Sequence, residues 1–219
     1  TVTFEFSESV VGFDASDVTV AGGTLSGFVV IDADSYLATF TATDGIETTG
    51  TVTVGTGYTD AVGNVGLGAS DSVAIDTRNP TVTVNIVSML LSDGQSSSTV
   101  TFEFSESVVG FDASDVTVAG GTLSGFVVID ADSYLATFTA TDGIETTGTV
   151  TVGTGYTDAV GNVGLGASDS VAIDTRNPTV TVNIVSMLLS DGQSSSTVTF
   201  DFSESVVGFD ASDVTVAGG

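Results

Sequence analysis

A 98-residue stretch repeated letter for letter constrains this chain more than any other feature. Residues 1–98 recur unchanged as residues 99–196, and a third copy opens at Thr197 and runs to Gly219. The copies differ at one position, where Glu5 and Glu103 correspond to Asp201. A fixed period marks an array of like units. Identity this close reflects recent duplication or continual homogenisation, so comparing copies does not reveal which positions matter. It also argues against an active site, because catalysis seldom needs many identical copies in a row, whereas length and mechanical reach do.

Within each copy the apolar residues alternate. In Thr99–Ser105, Val100, Phe102 and Phe104 share one face while Thr101 and Glu103 share the other, as in a half-buried strand. Asp201 replaces Glu103 on that outward face and carries no information. Similar runs occupy 81–87, 115–118, 134–139, 149–156 and 170–174, with 123–129 a seventh candidate. β-Branched residues abound, and Gly, Ser, Asp and Asn punctuate at short intervals. No helix of substance is expected. About seven short strands per unit predict an all-β chain of tandem immunoglobulin-like antiparallel β-sandwich domains, stacked head to tail as a rod. Cys and Trp are absent, so the likeness is to the architecture and not to antibody domains.

One proline per period sets the boundaries. Asp76-Thr-Arg-Asn-Pro80 and Asp174-Thr-Arg-Asn-Pro178 lie between strand patterns, and proline there favours a short, extended linker. The expected domains are 1–77, partial and lacking its first strand; 78–175, complete; and 176–219, partial with three strands. Since Thr1 already lies inside a repeat, the chain reads as a slice of a longer polypeptide.

Charge narrows the function. With 28 acidic residues against two basic ones, the net charge is −26. Nucleic acid and anionic membrane are repelled by such a chain, and its apolar runs are too short to span a bilayer. At about 10 Å in water each like-charged pair costs roughly 0.4 kcal/mol before screening, so salt or divalent cations are expected to offset the sum. Without His, Cys or Lys, the usual triads have no base and the many serines stay unactivated. Carboxylate pairs can serve glycosidases, but the aromatic sugar platform is missing. No enzyme and no small-molecule substrate are expected.

The segments Phe102–Val118, Gly120–Ser124 and Tyr156-Thr-Asp-Ala-Val-Gly-Asn162, with the linker Asp174–Pro178, resemble the bacterial Ig-like repeats of very large surface adhesins. These include the repeats-in-toxin biofilm and ice-binding adhesins of marine and other Gram-negative bacteria. The resemblance spans the whole period. It implies a secreted fibre anchored at the outer surface of a bacterium, whose extender domains bind several Ca²⁺ ions and hold a ligand-binding tip away from the cell for adhesion and biofilm formation. The partners it implies are neighbouring identical repeats. The glycine- and aspartate-rich nonapeptides of the secretion region are absent from this chain.

Strand order tests the calcium idea. If the first strand leaves the linker and the second returns, the loops after the second, fourth and sixth strands share the linker end. They carry Glu106, Asp112 and Asp115, then Asp130 and Asp132, then Asp158 and Asn162; the linker adds Asp76 and Asn79. A hard cation takes six to eight oxygens at about 2.3–2.6 Å, so the supply suffices. The next junction brings Asp174 and Asn177 against Glu204, Asp210 and Asp213. The opposite end holds Asp93 or Asp191, with Asp142 and Glu145, as a second possible site within one domain. Each Asp also has a plainer reading as a turn former. Tyr156 suits either a tyrosine-corner bond or simple core packing. The alternatives to an extender are a multivalent glycan- or cell-binding module and a halophilic surface-layer repeat.

Overall fold

The structure is a computed structural model and describes residues 1–218; Gly219, the expected end of the third copy, lies outside the described residues. The middle copy contains eight strands: β1 (Val82–Ile86), β2 (Leu90–Ser92), β3 (Ser97–Phe104), β4 (Val116–Ala119), β5 (Gly121–Val128), β6 (Ser133–Ala140), β7 (Glu145–Val152) and β8 (Ala167–Asp174). They form two four-stranded sheets, ordered β5-β6-β3-β1 and β2-β8-β7-β4. Every pairing is antiparallel except β2 with β8, which run parallel. Among the described residues helix is confined to three-residue 3₁₀ turns.

Seven strands were expected where eight occur. The extra strand arises because the first strand changes sheets: β1 pairs β3, and after Val87–Met89 the chain pairs β8 as β2. Polar groups fix the crossing. Ile86 N–H donates to Asp169 Oδ2 at 2.7 Å, and Ser88 N–H donates to Ser98 Oγ at 2.9 Å. Leu91 then lies fully buried between the sheets. The sixth expected strand ends at Val152, not Tyr156, because Gly153 and Gly155 interrupt it.

The alternation read from the letters describes the interior. Val82, Val84, Ile86, Val100, Phe102, Phe138, Val150, Val171 and Ile173 share one core. At the linker end it becomes a cluster of rings, with Phe104 4.8 Å from Phe111 and 4.9 Å from Tyr156. Such edge-on contacts add about 0.5–1.5 kcal/mol each beyond area burial. Two glycines are sterically required. At Gly121 a Cβ would lie 2.2 Å from the Thr139 carbonyl oxygen and 2.7 Å from the Phe138 ring, and Gly120 before it has φ +76°; together they carry the chain from β4 into the other sheet. At Gly164 a Cβ would lie 2.1 Å from the Tyr156 ring. That close approach lets the Tyr156 hydroxyl donate to the Leu165 carbonyl at 2.6 Å, nine residues downstream, whereas a tyrosine corner bonds to the chain upstream.

The first copy, which the sequence enters at the counterpart of Thr99, has two three-stranded sheets and a two-stranded pairing of Val10–Val11 with Thr59–Asp60. In the third copy Val180–Ile184 pairs only with Val198–Phe202.

Candidate metal centre

The linker between the first two copies is held on both sides. Pro80 is buried and its carbonyl accepts Leu165 N–H at 2.9 Å, while Thr81 N–H donates to Ser105 Oγ at 2.9 Å. These bonds draw the β3–β4 and β7–β8 loops against the end of the preceding domain. There Asp76, the last residue of the first copy's final strand, meets Glu106 and Asp158 of the middle copy. One carboxylate oxygen from each lies within 4.8 Å of the others.

Asp158 is the fixed member. It is buried, and its Oδ1 accepts the N–H groups of Val160, Gly161 and Asn162 at 2.9, 2.7 and 2.8 Å. Burial opposes its ionisation, but the hydrogen bonds from Asn162, Gly161 and Val160 outweigh burial and hold its carboxyl below the usual range. Asn162 bridges the two copies: its Nδ2 donates to Asp158 Oδ2 at 2.7 Å and to Asp76 at 3.2 Å (main-chain O) and 3.3 Å (Oδ1). Glu106 is the strained member. Burial first, then the negative charges of Asp158 and Asp76, hold its carboxyl above the usual range, with Arg78 acting oppositely. Arg78 itself pairs with Glu47 at 3.2 Å on the exposed rim.

The donor set fits a hard cation. It offers only oxygen, it gathers three carboxylates, and one of them is disfavoured as an anion where it stands. Asp76, Glu106 and Asp158 would hold the ion, and rotating the Asn162 amide would turn its Oδ1 toward them in place of Nδ2.

The other expected ligands stand apart from this cluster. Asp112 caps a 3₁₀ turn, accepting from Ser114 N–H at 2.7 Å and Ser114 Oγ at 2.6 Å, while Asp115 Oδ2 accepts Asp112 N–H at 2.9 Å. The Ser114 side chain and then its backbone hold Asp112 below the usual range. Asp210 and Asp213 repeat that capping box in the third copy. Asp130 accepts Asp132 N–H at 3.2 Å and Asp132 accepts Ser133 Oγ at 3.1 Å, so both shape the β5–β6 turn. Asn79, Asn177, Asp174, Asp191, Asp142 and Glu204 are exposed. Glu145 pairs with Arg176 at 2.7 Å. Asp93 shares a groove at the second junction with Asp174, Arg176 and Glu204.

Two contributors escaped the sequence reading. Val160 sits in a hollow with Ala74, Ile75 and Asp76 of the preceding copy. Asp169 ties β1 to the opposite sheet. An apolar residue at a loop tip between Asp158 and Asn162 was the available sign of the first; nothing in the strand pattern marks the second.

No curated protein matches the chain. Among solved structures it is similar to FdeC, an Escherichia coli adhesin, with 16% identity and a TM-score of 0.35 over 89% of this chain and 60% of that one. It is also similar to Yersinia pseudotuberculosis InvD, with 21% identity and a TM-score of 0.31 over 86% of this chain and 58% of that one. The chain thus spans less than two thirds of either structure. Residues 1–77, 76–175 and 174–219 each match the bacterial Ig-like domain, so the period seen in the letters is the period of the domain, and the chain belongs to the bacterial Ig-like domain family.

Proposed function

We propose that the chain is an extender region of a bacterial surface adhesin, a tandem array that projects a distal binding domain from the cell during adhesion and biofilm formation. Ca²⁺ bound at each complete junction cross-links one copy to the next, cancels local carboxylate repulsion and stiffens the array. The observation that carries this reading is the meeting of Asp76, from one copy, with Glu106 and Asp158, from the next. The array catalyses nothing; its partners are its own neighbouring copies. With strands of about 3.3 Å per residue, each copy adds on the order of 40 Å of reach.

The test is the melting and small-angle scattering of the chain in excess chelator, then with Ca²⁺ or Mg²⁺ at matched ionic strength. A Ca²⁺-selective rise in melting temperature with a narrower spread of lengths supports the reading. An equal response to NaCl abandons it. Substituting Glu106→Gln abolishes most of the Ca²⁺ response and leaves the fold intact.

A further inference from the structure

Both positive side chains occupy the same place in the period. Arg78 and Arg176 are the two basic residues, they stand 98 residues apart, and each is the third residue of an Asp-Thr-Arg-Asn-Pro linker. The 28 acidic residues are spread through strands and loops, so a need to offset charge does not explain why both cations lie between domains. Nor does ion pairing. Arg78 meets Glu47 at 3.2 Å with both side chains more than half exposed, and a pair of that kind contributes little to stability.

The backbone around Arg78 is fastened on either side and free in the middle. Toward the first copy, Thr77 N–H donates to the Ile46 carbonyl at 2.8 Å and Thr77 Oγ1 donates to the Thr43 carbonyl at 2.9 Å. Toward the middle copy, the Pro80 carbonyl accepts Leu165 N–H and Thr81 N–H donates to Ser105 Oγ, each at 2.9 Å. Between these anchors the Arg78 carbonyl and the Asn79 N–H enter no hydrogen bond among the described residues, and both residues are exposed. The Arg176–Asn177 peptide group is equally free. It lies between Thr175, whose N–H donates to the Ile144 carbonyl, and Thr179, whose N–H donates to Ser203 Oγ.

We propose that the Arg78–Asn79 bond is a processing site for an arginine-specific endopeptidase of the trypsin class, cut while the domains on both sides stay folded. The anionic specificity pocket of such an enzyme takes the guanidinium, and the linker joins its active-site edge as an extended strand. Hydrolysis breaks the bond between the Arg78 carbonyl carbon and the Asn79 nitrogen. Water gives its hydroxyl to the carbon and a hydrogen to the nitrogen, so Asn79, and not Pro80, supplies the leaving amine. To reach the enzyme the linker gives up its anchors at Pro80 and Thr81, a local opening that leaves the cores packed. The site recurs once per period, so each cut falls between domains and never inside one.

Trypsin acting on the folded 219-residue chain carrying Arg176→Gln, in chelator so that junction metal plays no part, tests this. That substitution leaves Arg78 as the one basic residue. The expected result is a single cut after Arg78 well below the melting transition. Ser105→Ala, which removes the acceptor of Thr81 N–H, raises the rate roughly threefold to tenfold; Ser105 is exposed, so this variant keeps the melting transition of its parent. Val100→Ala, at a fully buried position, weakens the middle copy as a whole yet changes the rate less than about twofold. A rate that rises with Val100→Ala in proportion to the stability lost means that the bond is reached only by global unfolding, and it overturns the proposal. So does resistance to trypsin below the melting transition, or a Ser105→Ala chain cut no faster than its parent.

Discussion

The first and middle copies share every letter from the counterpart of Thr99 to that of Thr175, yet their interiors are not alike. At the linker end the two are superposable in their contacts: Phe6 lies 4.9 Å from Tyr58 as Phe104 does from Tyr156, and Phe13 lies 4.9 Å from Tyr36 where Phe111 lies 5.0 Å from Tyr134. Toward the other end they diverge. Val150 and Val171 are buried beneath β1 and β2, while Val52 is only half-buried and Val73 faces solvent. The aromatic cluster thus keeps the same ring contacts with or without β1 and β2 beside it, whereas the aliphatic residues are fully buried only beneath those strands. An inward-facing pattern is necessary for burial but does not produce it.

That contrast can be broken most sharply at β2. Leu91→Ala, at a fully buried position, should cost about 2–5 kcal/mol in urea unfolding of the middle copy, and Leu189→Ala less than about 0.5 kcal/mol. Equal costs would mean that the third copy already buries its strand. The next effect lies at the crossing. Asp169→Ala strands Ile86 N–H and should cost about 1–3 kcal/mol, while Asp71→Ala stays within about 0.5 kcal/mol by the same measurement. The tyrosine hydroxyl bond probes the half that does not differ. Tyr58 donates to the Leu67 carbonyl at 2.7 Å and Tyr156 to that of Leu165 at 2.6 Å, so Tyr58→Phe and Tyr156→Phe should cost a similar amount, about 0.5–1.5 kcal/mol. A hydroxyl bond that matters only in the middle copy would undo the separation into two halves.

The smallest effect is one of pH, at the junction. Glu106 has a folded-state pKa above its unfolded one, so its contribution is fully present below the unfolded value and is lost as pH rises through the folded value. Asp158 runs the other way: its folded pKa is depressed, and its contribution is present above the unfolded value and lost as pH falls through the folded one. In chelator, then, Glu106→Gln should melt progressively higher than the parent chain as pH rises from the carboxylate range toward neutrality. Added Ca²⁺ should reverse that order, because the parent alone keeps all three carboxylates.

Much of this was legible in the letters, and for identifiable reasons. Val100, Phe102 and Phe104 alternate, and all three point inward. β2 was not legible, because Ser88-Met-Leu-Leu-Ser92 has no alternation; a single residue, Leu91, faces the core, and the change of sheet depends on Asp169, some eighty residues away. For the site, counting strand reversals correctly assigned Asp76, Glu106, Asp158 and Asn162 to one pole. The same count swept in Asp112, Asp115, Asp130 and Asp132, because it fixes the end of the sandwich at which a loop lies and not the direction of its side chains. Those four satisfy their own turns first.

The parallel pairing of β2 with β8 has a consequence for a molecule under tension. β8 runs directly into the exit linker, while the entry linker reaches β2 only through β1, so a pull on the two linkers loads the β1–β3 pairing and then draws β2 and β8 in opposite senses along their common axis. The bonds joining Leu90–Ser92 to Ala172–Asp174 are then loaded in shear and yield together, where an antiparallel pair drawn apart from its open end would unzip one rung at a time. Three residues beside the terminal strand thus share the load between the two linkers instead of taking it in turn.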